Sequence, residues 1–168
     1  MKVQRNSAIW SSSLLLLVFA FASFTTALSQ SKASKYACSE PNPASLCNAG
    51  NTCGTASAPC SVDVKRTGAG NSASTTPSLP GGKGNMLFCV HSGTSVEFMT
   101  SSKNVGFVID FGPSTPFGSD DAIIGGAQKS VTVAATKKGC YKYSVGACTS
   151  GTIYGMCGQG SAELIVVP

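Results

Sequence analysis

From residue 61 onward the chain alternates polar and apolar residues in short runs whose period is close to two, not the roughly 3.6 of a helix. Ser61–Arg66 (SVDVKR) puts Val62 and Val64 on one face, the pattern of a half-buried β-strand. Met86–His91 (MLFCVH) and Thr94–Thr100 (TSVEFMT) flank Ser92-Gly93, which reads as a short turn between two strands. Lys103–Phe111 (KNVGFVIDF) is rich in β-branched and aromatic residues, as a core strand is. Ser130–Thr136 (SVTVAAT) alternates through Val131 and Val133. Gly139–Val167 supplies the last two strands: Tyr141, Tyr143 and Val145 share a face of the first, and Ala162, Leu164 and Val166 a face of the second. Thr67–Asn85, with Pro77, Pro80, Gly81 and Gly82, and the stretch Gly112–Gly126 read as loops. Seven short strands with Gly- and Pro-rich turns predict an all-β fold, a Greek-key β-sandwich over 61–168.

The N-terminus has a different pattern. Met1, Lys2 and Arg5 precede an apolar run from Leu14 to Phe24, and small and polar residues follow to Gln30. This order of charged, apolar and small-residue regions predicts a secretory signal peptide over 1–29, cleaved near Ser29. The run is too short for a membrane-spanning helix, which needs about 20 apolar residues. A secreted or periplasmic protein of one domain, with no stable membrane anchor after cleavage, is the expectation.

Cysteine placement strengthens that reading. All eight cysteines, Cys38, Cys47, Cys53, Cys60, Cys89, Cys140, Cys148 and Cys157, follow the leader, and no spacing is C-x-x-C. An even count in a small exported chain predicts structural disulfides, with on the order of a hundred possible pairings that sequence does not separate. Residues 30–60 hold four of these cysteines and only Leu46 as a large apolar residue. Such a Cys-rich extension cannot fold on burial alone, so disulfides among its own cysteines or to the body must hold it.

Charge and motifs narrow the function classes further. The net charge of +5 is dispersed along the chain, with no run longer than the pairs Lys65-Arg66 and Lys137-Lys138, and falls when Lys2 and Arg5 leave with the leader. No block of charge tracks a phosphate backbone, so nucleic acid is not implied. There is no G-x-S-x-G elbow, P-loop or H-E-x-x-H, and the chain reads as a non-enzyme. Asp110 could orient His91, the single histidine, toward a serine, but with so many serines such a triad is unspecific. Asp120-Asp121 reads as a pair of solvated or capping carboxylates in a turn, in preference to a calcium site. Tyr154 is the expected exposed aromatic contact.

From Ser61 onward the chain resembles a cupredoxin, the sandwich of blue copper proteins. The resemblance rests on Gly93-x-x-Val96-x-Phe98, on Asn104-Val105-x-Phe107, and on Gly139-x-Tyr141-x-Tyr143 followed by a loop and an apolar strand. It implies a copper site of two histidines, a cysteine and an axial methionine. Here Lys103 stands at the first histidine position, and Gly151 at the second when Cys148 and Met156 are aligned with the family's cysteine and methionine. Aligned by the Y-x-Y strand, the cysteine position becomes Val145. On either alignment the imidazoles are missing, so no copper cofactor is expected.

The leading expectation is therefore an exported, disulfide-stapled, cupredoxin-like module that is structural or binds an unknown protein or small-molecule ligand through loops Gly112–Gly126 and Thr149–Gly160 at one end. One alternative is a copper or redox protein with a non-standard site of Cys89, His91, Cys148 and Met156. A second, resting on small size, cysteine density and mild positive charge, is a secreted defence or inhibitor protein.

Overall fold

The computed structural model describes residues 37–67, 72–81, 86–126, 129–149 and 157–168. The expected leader, Gly151, Tyr154 and Met156 lie outside the described residues.

Among the described residues the chain forms nine strands: β1 (Cys60–Thr67), β2 (Ser72–Pro77), β3 (Leu87–His91), β4 (Ser95–Met99), β5 (Val105–Asp110), β6 (Ile123–Gly126), β7 (Val131–Ala134), β8 (Gly139–Thr149) and β9 (Cys157–Val167). Two short 3-10 helices, Ala37–Ser39 and Pro43–Leu46, precede them. The strands build one mixed sheet in the order β6-β5-β8-β9-β2-β1-β4-β7, with β3 parallel to β9. The sheet bends over itself into a nearly closed, flattened barrel. Phe98 on β4 meets Tyr143 on β8 edge-on, with ring centroids 6.4 Å apart, across the enclosed core.

Val62, Val64, Phe88, Val90, Val96, Phe98, Ile109, Val145 and Leu164 fill that core, each at most 2% exposed. The alternation in the sequence explains this, because residues two apart on a strand face the same way. β1, β3–β5 and β7–β9 coincide with the predicted runs to within a few residues, β8 and β9 being longer than expected.

Two strands were expected as loops. β2 (SASTTP) has no large apolar residue, yet Ala73, Thr75 and Pro77 alternate inward. The Thr75 hydroxyl is 3.0 Å from the buried Tyr143 hydroxyl, so burial leaves neither without a partner. β6 (IIGG) is short, and only Ile123 of its two isoleucines is buried. Its antiparallel pairing with β5, not its own pattern, makes it a strand.

The expected short turn at Ser92-Gly93 is present, but the two strands it joins do not pair with each other. The Thr94 amide donates to the His91 carbonyl, closing the turn, but the Ser92 amide donates to Val167 and the Gly93 amide to Ala135. β3 then runs parallel to β9, while β4 lies between β1 and β7. Gly93, at φ 93°, turns the chain from one layer to the other, a left-handed conformation that glycine adopts without a Cβ penalty.

The N-terminal extension covers the outer face of β3 and β9. Ala37, Cys89 and Ile165 form a second small core there, with Cys47, Leu87, Cys140 and Val167 packed against it. Glu163, buried on the same face, accepts hydrogen bonds from the Ala37 amide at 2.6 Å and the Cys38 amide at 3.3 Å.

Candidate functional site

The pairing of the eight cysteines decides what chemistry their sulfurs have left. Cys38 is joined to Cys140, Cys47 to Cys89, Cys53 to Cys60 and Cys148 to Cys157, and no described cysteine is free. The first two bonds tie the extension to β8 and β3, the third closes a loop at the start of β1, and the fourth bridges the tips of β8 and β9. A disulfide sulfur is not the thiolate that binds metal.

The residues of the alternative copper site are spread along the barrel. Cys89 and His91 pair with Ile165 and Val167, whereas Cys148 pairs with Cys157 at the other end of β9. Ten residues of strand separate Val167 from Cys157, a span of about 30 Å. His91 is exposed, and its Nδ1 is 2.7 Å from the Pro168 carbonyl oxygen, to which it donates. Lys103 sits with Asn104 in the turn before β5, where Asn104 takes the left-handed φ of 61°. Among the described residues no three His, Cys, Asp or Glu side chains come together to hold a metal ion.

The other candidates are equally local. Asp110 accepts from the Gly112 amide at 2.7 Å and stands on β5, separated from β3 by β8 and β9, so it does not orient His91. Asp121 and Ser119 bond each other through side chains at 2.6 Å, and the Ser119 hydroxyl accepts from the Asp121 amide, as in a capped turn.

The stretches expected to share one end do so only in part. Gly112 follows the end of β5, whereas Thr149 pairs with Val105 at its start, so residues 112–122 leave the sheet at the end away from Thr149. β6 then runs back along β5 and brings Gly126 opposite Gly106, near Thr149. Much of 112–122 also serves the core. Phe117 is 3% exposed, packs edge-on against Phe98 and Phe111, and follows Pro116, whose carbonyl accepts the Thr136 and Lys137 amides.

Electrostatic perturbations mark structural positions. Burial pushes the Asp63 carboxyl up, but the Ser101 amide at 2.9 Å, the Ser101 hydroxyl at 2.7 Å and Lys65 at 3.0 Å outweigh it and hold the carboxyl below its ordinary value. Burial raises both Tyr143 and Tyr141. Tyr141 donates to the Lys137 and Lys138 carbonyls, pinning the turn into β8.

Sequence reasoning missed Glu163, whose anchoring of the extension has no signal beyond a carboxylate inside an apolar run. It also missed the outward pair Val108 and Ile124. These face each other across β5 and β6, and Ile124 is 65% exposed.

Comparison with protein families and with curated proteins finds no family model and no curated protein that matches the chain.

Proposed function

We propose that the chain is an exported, non-catalytic, cupredoxin-like module without a type 1 copper site, serving as a structural or binding scaffold. The observation that carries this reading is the commitment of the sulfurs a copper site would use. Cys89 and Cys148 are bonded to Cys47 and Cys157, and the His91 imidazole is tied to the Pro168 carbonyl oxygen. The cupredoxin likeness is supported by the motifs around Val96, Val105 and Tyr141, which fall on β4, β5 and β8 of a mixed sheet folded over a shared core. Export is supported by four disulfides, which persist in oxidising compartments, together with the leader pattern at the N-terminus.

The test is a thiol titration of the purified exported protein, then titration with Cu(I) and Cu(II) followed by absorbance in the thiolate charge-transfer region. Eight oxidised cysteines and no bound copper are expected. A free thiol that binds one equivalent of copper would overturn the scaffold reading in favour of a copper protein. N-terminal sequencing of the same material checks export, with a new N-terminus near residue 30 as the expected result.

A further inference from the structure

One disulfide differs from the other three in its surroundings. Cys148 and Cys157 are opposed across β8 and β9, and Cys148 also pairs with Gly106 on β5, which pairs with Gly126 on β6. Two residues along β8, on the same outward face, stands Gly146. On the β5 side and along β8 its outward neighbours are therefore Gly106, Gly126 and Gly146, which have no side chains to cover sulfur, while along β9 the next outward residue is Gln159. Cys157 is exposed and Cys148 half-buried. Cys157 is the one exposed cysteine among the described residues: Cys53, Cys60 and Cys89 are at most 1% exposed, Cys38, Cys47 and Cys140 are half-buried, and Cys140 is packed into the small core beneath the extension.

Charge favours the same site. On the outward face of β5 the nearest carboxylate to Gly106 is Asp110, two outward positions further along, so no acidic side chain of that strand adjoins the disulfide. Among the described residues, a thiolate approaching from the β5 side meets backbone beside the sulfur. Exchange rates depend on access to the attacked sulfur as well as on the thiolate.

We propose that Cys148–Cys157 is a thiol–disulfide exchange site, open to low-molecular-weight thiols while the other three disulfides stay closed to them. The thiolate attacks the exposed Cys157 Sγ, forming a mixed disulfide and breaking the Cys148–Cys157 bond. The electron pair leaves on Cys148 Sγ, which takes a proton from water. A second thiolate then attacks the sulfur of the bound thiol, releases Cys157 as a thiolate and yields an oxidised thiol dimer. Two electrons pass from two thiols to the protein disulfide. The inference is independent of the scaffold reading, since it needs neither a ligand nor the family likeness.

The experiment exposes the intact exported protein to graded glutathione redox buffers, alkylates in two isotopic steps, and maps each cysteine by mass spectrometry. Cys148 and Cys157 are expected to label first, at least about tenfold faster than any other pair, with the glutathione adduct on Cys157. Labelling of another pair first, or of all eight cysteines in one transition, would overturn the site. A Gly106→Val variant provides a second check, because a Cβ at Gly106 has no closer neighbour than the Gly125 oxygen at 3.7 Å, leaving room on the sheet beside Cys148. If access sets the rate, this variant should exchange at least about threefold more slowly with its melting temperature kept. An unchanged rate would refute the access argument.

Discussion

Gly158→Ala tests the tightest junction of the barrel, the seam where β2 meets β9. A single residue pair, Ser72 with Gln159, joins these parallel strands. The glycines on either side of Gln159 face the β2 backbone. A Cβ on Gly158 would overlap the Ser72 carbonyl, and one on Gly160 would overlap the Ala73 carbonyl. No side chain can rotate out of the way, so β2 or β9 must move and the Ser72–Gln159 pairing must break. Overpacking costs about 1–3 kcal/mol, and a lost backbone hydrogen bond adds about 1 kcal/mol. We expect Gly158→Ala to lose about 3 kcal/mol, or about 10 °C in Tm for a domain of this size.

The control is Gly106→Ala, where the added methyl meets only the Gly125 carbonyl oxygen, at an ordinary contact distance of 3.7 Å. There the restriction of the unfolded chain favours stabilisation, by about 0.4–1 kcal/mol. Guanidinium unfolding followed by circular dichroism, with the disulfides intact, separates the two variants by sign. If Gly158→Ala melts within about 0.5 kcal/mol of the parent, the seam is not closed as described and the reasoning fails.

Three further outcomes follow from side chains already placed. Tyr143→Phe strands the buried Thr75 hydroxyl and should cost about 1–2 kcal/mol, whereas adding Thr75→Val should recover most of it, because removing both partners leaves no unsatisfied group; a double-mutant cycle measures the difference. Asp63 is held below its ordinary carboxylate value, so its contribution is fully present above the unfolded value near about 4 and is lost as pH falls through the lower folded value. Solvent screening limits that contribution to under about 1 kcal/mol, and Asp63→Asn should flatten the acid limb of a stability-against-pH curve while leaving its shape unchanged above pH 6 or so. Glu163→Ala removes the acceptor of the Ala37 and Cys38 amides and should cost about 2 kcal/mol; hydrogen exchange at those two amides should rise, and protection as high as the parent's would contradict the anchoring role.

The period-two runs were enough to place seven of the strands because each buries one face, and the residues that alternate inward are those the sequence marks as apolar. Val62 and Val64, Tyr143 and Val145, and Leu164 and Val166 are legible in this way. The even number of cysteines likewise pointed to disulfides before any pairing was known.

What the alternation could not show is any burial that depends on a neighbour. Thr75 is buried because Tyr143 offers it a hydrogen bond. Glu163 and Ile165 are buried on the face that alternation assigns to solvent, because the extension, anchored by Cys38–Cys140 and Cys47–Cys89, lies over them. Residue identity suggested Cys89, His91, Cys148 and Met156 as one candidate copper site, but strand direction puts Cys89 and His91 at one end of β9 and Cys148 at the other. Residue identity and local period were enough to show an all-β chain, an even set of cysteines suited to disulfides and a single histidine. The tertiary structure alone decided which strands pair, which sulfurs join and which loops share an end, because those depend on contacts between segments far apart in the chain.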